Sequence, residues 1–191
     1  ACNMQSLESS FILKNITLYQ ALILQENISM RKLCVIFLFC LLTACKSQWS
    51  GIKRFGTSSD TDSFGIATDL SGNVYIAGIT TQDLDSGAEL ENSATFVVKY
   101  NSDGTKQWTK LLASSDGTAG KDITTDSSGN VYITGTAAGN FDGEKNSGAY
   151  DSFVVKYNSD GTKQWTKLLG TSDWDSGSGI STDSSGHVYI T

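Results

Sequence analysis

Seventeen residues, FVVKYNSDGTKQWTKLL, occupy positions 96–112 and recur without a single change at 153–169, 57 positions later. A domain folded once has no need of such a copy, so the chain is read as a modular array in which each copy solves the same packing problem. Trp49, Trp108 and Trp165 mark three copies, and Thr-Asp-x-Ser-Gly turns begin at Thr68, Thr125 and Thr182, 57 apart each time. Those turns make Asp69, Asp126 and Asp183, with Gly72, Gly129 and Gly186, the structural repeat positions beside the three tryptophans. The spacing slips once, by two residues between Trp49 and Asp69, which marks a loop.

Each copy holds four short segments rich in β-branched and aromatic residues, divided by Gly, Asn, Asp and Ser. In the second copy they are 106–112, 121–126, 131–137 and 152–158, with the tryptophan in the first. Turns at 126–130 and 158–162 begin with Asp or Asn, whose side chain caps its own turn, and carry a Gly for the positive φ of a short hairpin. Phe153, Val155 and Tyr157 alternate with Val154, Lys156 and Asn158, and Val131 and Ile133 with Tyr132 and Thr134, so both faces carry apolar bulk. Such a sheet lies between two neighbours. Four-stranded antiparallel units of this kind describe the blades of a β-propeller, here an all-β, incomplete one of about 2.75 repeats of roughly 57 residues. The tryptophans are read as packing residues.

From residue 153 to 191 the order is an aromatic-V-x-K strand, an Asp-Gly turn, a Trp strand, a Gly/Asp-rich loop and a D-x-x-G-x-x-Y-I-T hairpin. This resembles the SBBP family, the bacterial β-propeller repeat, over nearly everything from Trp49 onward. The resemblance implies a propeller of cell-envelope or secreted proteins, with no general catalytic residue set to carry over. Counted from the tryptophans, repeats span 49–107, 108–164 and a partial 165–191. The third copy stops in mid-strand, with about 11 strands in all. A fragment of a longer protein is the expectation, with closure by self-association through open blade edges, or a decaying reading frame, as alternatives.

The first 50 residues differ in kind. All 19 glycines lie at or beyond Gly51, whereas residues 1–44 hold three of the four cysteines and several aliphatic clusters, read as a helical or apolar leader. MRKLCVIFLFCLLTAC at 30–45 shows a start residue, the basic pair Arg31 and Lys32, about a dozen mostly apolar residues and small residues before a cysteine. That is the layout of a secretory signal peptide, too short to span a bilayer of about 30 Å. Leu42-Thr43-Ala44-Cys45 resembles the lipobox of bacterial lipoproteins, which implies cleavage between Ala44 and Cys45 and lipid on Cys45. Residues 1–29 are then an upstream extension without function, 30–44 the signal peptide, and 45–50 the anchored N-terminus and linker. Lys46 follows the cysteine where many inner-membrane lipoproteins have Asp, so the outer membrane or cell surface is the expected address.

Cleavage there leaves 11 basic against 18 acidic residues, a net charge of about −7. Nucleic acid, which needs clustered Lys and Arg, is excluded as a partner. Without a second cysteine no disulfide framework remains. Catalytic motifs are lacking: the single histidine, His187, replaces Asn73 and Asn130 in a turn, a place attributed to tolerance of left-handed conformations, and no triad or phosphate-binding loop is present. No cofactor and no metal site are expected, weak calcium binding by Asp60-Thr61-Asp62 and Asp173-Trp174-Asp175 being the one exception weighed. Residues 82–93 and 138–150 differ most between copies and carry acids, so they are the candidate contact surface for a protein or glycan ligand. The functional expectation is a lipid-anchored envelope protein whose propeller binds or scaffolds without catalysis. The alternatives are part of a quinone-dependent or glycan-active propeller enzyme, or a truncated product with no activity of its own.

Overall fold

The computed structural model describes residues 60–191; Trp49, the Ala44/Cys45 cleavage site and the leader lie outside them. The described residues form β1 (Thr61–Thr68), β2 (Val74–Gln82), β3 (Glu89–Tyr100), β4 (Lys106–Leu112), β5 (Thr118–Thr125), β6 (Val131–Ala138), β7 (Tyr150–Tyr157), β8 (Lys163–Leu169), β9 (Ile180–Thr182) and β10 (Val188–Ile190). Pairing is antiparallel and in chain order: one four-stranded sheet from β1 to β4, a second from β5 to β8, and a two-stranded piece of a third. The all-β, four-stranded blade architecture is therefore present, in an open array of two blades and part of another.

The tryptophan frame is out of phase with the sheets. Trp108 lies in β4 and Trp165 in β8, each the last strand of a sheet rather than the first of the next. The cause is the 101–105 turn, where Gly104 N–H reaches Asn101 O at 2.9 Å and Thr105 N–H reaches Asn101 Oδ1 at 2.9 Å, folding β4 straight back on β3. The sheet breaks instead after Leu112. There Thr118 takes the Thr95 N–H on its hydroxyl oxygen at 2.7 Å and donates the hydroxyl to Leu112 O, so β5 starts a new sheet against the old one.

Successive blades stack most closely along their first strands. β5 packs on β1 and progressively less on β2 and β3, while β9 packs on β5 and β6. A Cβ added to Gly65 would stand 3.0 Å from Asp122 Cα, which measures how near β1 and β5 approach. Threonine hydroxyls tie the same junctions, Thr125 Oγ1 donating to Thr68 O at 2.9 Å and Thr182 Oγ1 to Thr125 O at 3.0 Å. Asp122 Oδ2 accepts the Ile180 N–H at 2.9 Å.

Both faces of the middle blade are buried, as its alternation requires. Val131, Ile133 and Val155 join Tyr75, Ala77 and Val97 in one core against the first blade. Tyr132 and Val154 turn the other way and pack with Ile180, Val188 and Ile190 of the third.

Candidate functional site

Because strand direction alternates, the hairpins 69–73, 101–105, 126–130, 158–162 and 183–187 share one end of the blades. The β2–β3 loop, the β6–β7 loop and the linkers between blades share the other. The first end is built from copies and the second from differences.

At the hairpin end one carboxylate organises each first turn. Asp69 Oδ1 accepts the N–H groups of Ser71 (2.9 Å) and Asn73 (3.0 Å), and Oδ2 accepts Asn73 Nδ2 (2.7 Å) and the Tyr75 hydroxyl (2.9 Å). Asp126 repeats the set with Ser128, Asn130 and Tyr132. Asp183 does so with Ser185, His187 and Tyr189. Burial pushes the Asp69 and Asp126 carboxyls up, but the bonds from Asn, Tyr and Ser outweigh it and hold both below the ordinary carboxylate value. For Asp183 the His187 side chain leads, with its backbone N–H next, and the value falls to about 2. Carboxylates so fully engaged are structural acceptors. Gly72, Gly129 and Gly186 have φ of 78°, 77° and 82°, the left-handed turn the sequence calls for.

Two details depart from expectation. His187, Asn73 and Asn130 are not left-handed, for among the described non-glycine residues only Asp142 has positive φ. Their shared property is a side-chain nitrogen that reaches the aspartate, 2.8 Å from His187 Nδ1 to Asp183 Oδ2. The tyrosine six residues after each aspartate completes the cap, a partner that turn chemistry alone does not reveal.

Trp108 packs between blades, its ring 6.0 Å from Tyr75 of its own sheet and 6.3 Å from Tyr157 of the next, so its packing role holds. Trp165 keeps the first of these contacts, with Tyr132 at 6.1 Å. Nearby, a cleft of about 200 Å³ between the first two blades is lined by Asp69, Asn73, Lys99, Gly129 and Ser159. Lys99 crosses it, Nζ donating to Ser159 O at 2.6 Å.

The acids of the 82–93 and 138–150 loops largely bind their own blade, reaching back along its fourth strand. Asp85 pairs with Lys106 and accepts the Thr109 hydroxyl at 3.1 Å. Fifty-seven residues on, Asp142 pairs with Lys163 and accepts the Thr166 hydroxyl, and Glu144 meets Lys167 at 2.9 Å. Burial raises the Asp142 carboxyl, yet Lys163 and Thr166 hold it below the ordinary value. Asp83 accepts the Asp85 and Ser86 N–H groups, and Glu89 accepts Gln82 Nε2. The dissimilar loops are thus latched alike onto the Lys-x-x-Thr of the fourth strand. Phe141 anchors the second loop, buried 5.3 Å from Phe153.

The two acidic triplets occupy different settings. Asp62 lies inside β1 opposite Ile79, whereas Asp175 Oδ2 caps the linker by accepting Thr171 N–H at 2.6 Å and Thr171 Oγ1–H at 2.9 Å. Among the described residues no three His, Cys, Asp or Glu side chains gather as metal ligands.

The beta-propeller repeat family matches at residues 51–85 and 107–142. Each match contains one aspartate-capped hairpin and ends on a latch acid, Asp85 or Asp142. An uncharacterized WD repeat-containing protein of Acanthamoeba polyphaga mimivirus is 32% identical over 133 residues, an alignment taking in 55% of this chain. The chain spans about a tenth of that relative, 10% of its length. The stacked four-stranded blades are those of an incomplete β-propeller, and over residues 51–85 and 107–142 the chain is similar to the beta-propeller repeat family.

Proposed function

We propose that this chain is a binding or scaffold module of a bacterial cell envelope, held by lipid on Cys45, that presents its loop end to a macromolecular partner without catalysing a reaction. The observation that carries the reading is the latch: two loops of unlike sequence are fixed by the same Lys-x-x-Thr pairing to identical strands. Loops already ordered lose little entropy on binding, so rigid scaffolds with dissimilar loops suit recognition. The envelope address rests on the signal-peptide layout of 30–45 and the Leu-Thr-Ala-Cys ending.

The test is made in a bacterial host. The chain should incorporate labelled palmitate and partition into detergent, and Cys45→Ala should abolish both. Replacing 82–93 or 138–150 by a Gly/Ser linker should remove capture of an envelope partner while the β-rich spectrum persists. Undiminished labelling of Cys45→Ala overturns the anchor, and capture that survives both replacements, or turnover of a sugar or alcohol, overturns the binding module.

A further inference from the structure

Trp174 is the tryptophan that stands outside the 57-residue register. Its counterpart one copy earlier is Gly117, and Tyr150, which it meets, corresponds to Ser93. The two rings stack with centroids 4.3 Å apart and planes 25° apart. Asp175 N–H donates to Tyr150 O at 2.9 Å, tying the linker to the edge of β7 beneath the rings. Trp174 nonetheless stays 69% exposed. A large aromatic that is held in place and left open is a preorganised contact.

Charge indicates what it contacts. Asp173 and Asp175 flank the ring in sequence, and Asp151 follows Tyr150 where the first blade has Ala94. Asp151 is 1% exposed, with Oδ2 accepting Ser147 N–H at 2.8 Å and Oδ1 lacking a protein partner. The segments 145–151 and 170–177 hold these three acids and one basic residue, Lys145. Elsewhere the chain sets its own lysines over aromatic faces: Lys99 over Tyr75 at 5.3 Å, Lys121 over Phe64 at 4.8 Å and Lys156 over Tyr132 at 5.2 Å. Among the described residues none stands over Trp174. A tryptophan face attracts cations more strongly than the tyrosine and phenylalanine faces already so occupied.

We infer that the Trp174–Tyr150 stack seats a lysine or arginine side chain of a polypeptide partner, an inference that rests on the binding-module reading above. The full chain in detergent is titrated with a blocked trilysine peptide, its Nε-acetylated counterpart and maltohexaose, following tryptophan fluorescence and heat. Trilysine should bind, Trp174→Ala should weaken it at least about fivefold, and Trp174→Phe should restore part of the loss. Asp173→Asn should weaken it by a smaller factor, and Trp165→Ala should leave it unchanged. Equal affinity in Trp174→Ala overturns the proposal in favour of diffuse attraction to an acidic protein. Equal binding of the acetylated peptide, or maltohexaose binding that depends on Trp174, overturns it in favour of an apolar or sugar seat. If loop replacement abolishes partner capture while Trp174→Ala does not, the cation seat fails and the binding module stands.

Discussion

β4 and β8 share one sequence, KQWTKLL, hold the same place in their sheets, and differ in what lies against them. Leu112 at the end of β4 is 3% exposed, whereas Leu169 at the end of β8 is 49% exposed. Trp108 touches a tyrosine on each side, and Trp165 on one. The first strands show the mirror image, Ile66 being 70% exposed on the outer face of the first blade and its counterpart Ile123 only 3%. Burial in this chain is thus a property of the junction, and the identical strand is core where a four-stranded blade follows it and surface where the described residues supply only two strands of the next. Within the described residues, apolar side chains are open on both outer faces of the array, Ile66 on one and Leu169 on the other.

The largest test of this contrast is the tryptophan pair. Trp108→Ala should destabilise the chain by about 3–5 kcal/mol through the cavity it opens between blades, and Trp165→Ala by less than about 2 kcal/mol. Urea unfolding of the two variants measures the difference, and equal losses would mean the junction does not set the burial.

A lysine pair should give the next largest effect. Lys99 Nζ reaches Ser159 O across the first junction, while the matching Lys156 meets Tyr132 of its own blade, over the ring and at the hydroxyl. Lys99→Met should cost about 1–3 kcal/mol and Lys156→Met under about 1 kcal/mol in the same unfolding measurement. Reversal of that order would show the crossing bond to be incidental.

The smallest effect concerns acid, and it compares the hairpins. Each cap carboxyl lies below its ordinary value of 3.8 in the fold, about 2 for Asp183. A depressed carboxyl supports the fold fully above its unfolded value and loses that support as pH drops through its folded one. Urea midpoints should therefore fall between pH 3.8 and about 2, less steeply in Asp183→Asn. An unaltered slope in that variant would remove the cap from the acid response.

Much of this architecture was legible in the sequence because strands and tight turns are local. The segment 106–112 coincides with β4, and the start of β6 at Val131 follows directly from the turn before it. Blade phase was not legible. The 101–105 hairpin and the 113–117 linker are equally short and polar, and only the Thr118 bonds across the break decide which one ends the sheet. The latches were hidden for a related reason: Asp85 and Lys106 are 21 residues apart, and nothing in either local pattern brings them together. Trp174 was visible as a residue between two acids, but its partner Tyr150 lies across a non-local bridge that composition does not encode.

The threonine ties between first strands make Thr125 a donor to the copy before it and an acceptor for the copy after it. The threonine tie recurs at both described joints, although Asp122, which bonds Ile180 at the second, is replaced by Gly65 at the first. Crossing-over between the two identical stretches at 96–112 and 153–169 would delete or duplicate 57 residues, the content of one blade, and keep the threonine tie. A change of blade number by whole copies would thus carry its own first-strand tie with it.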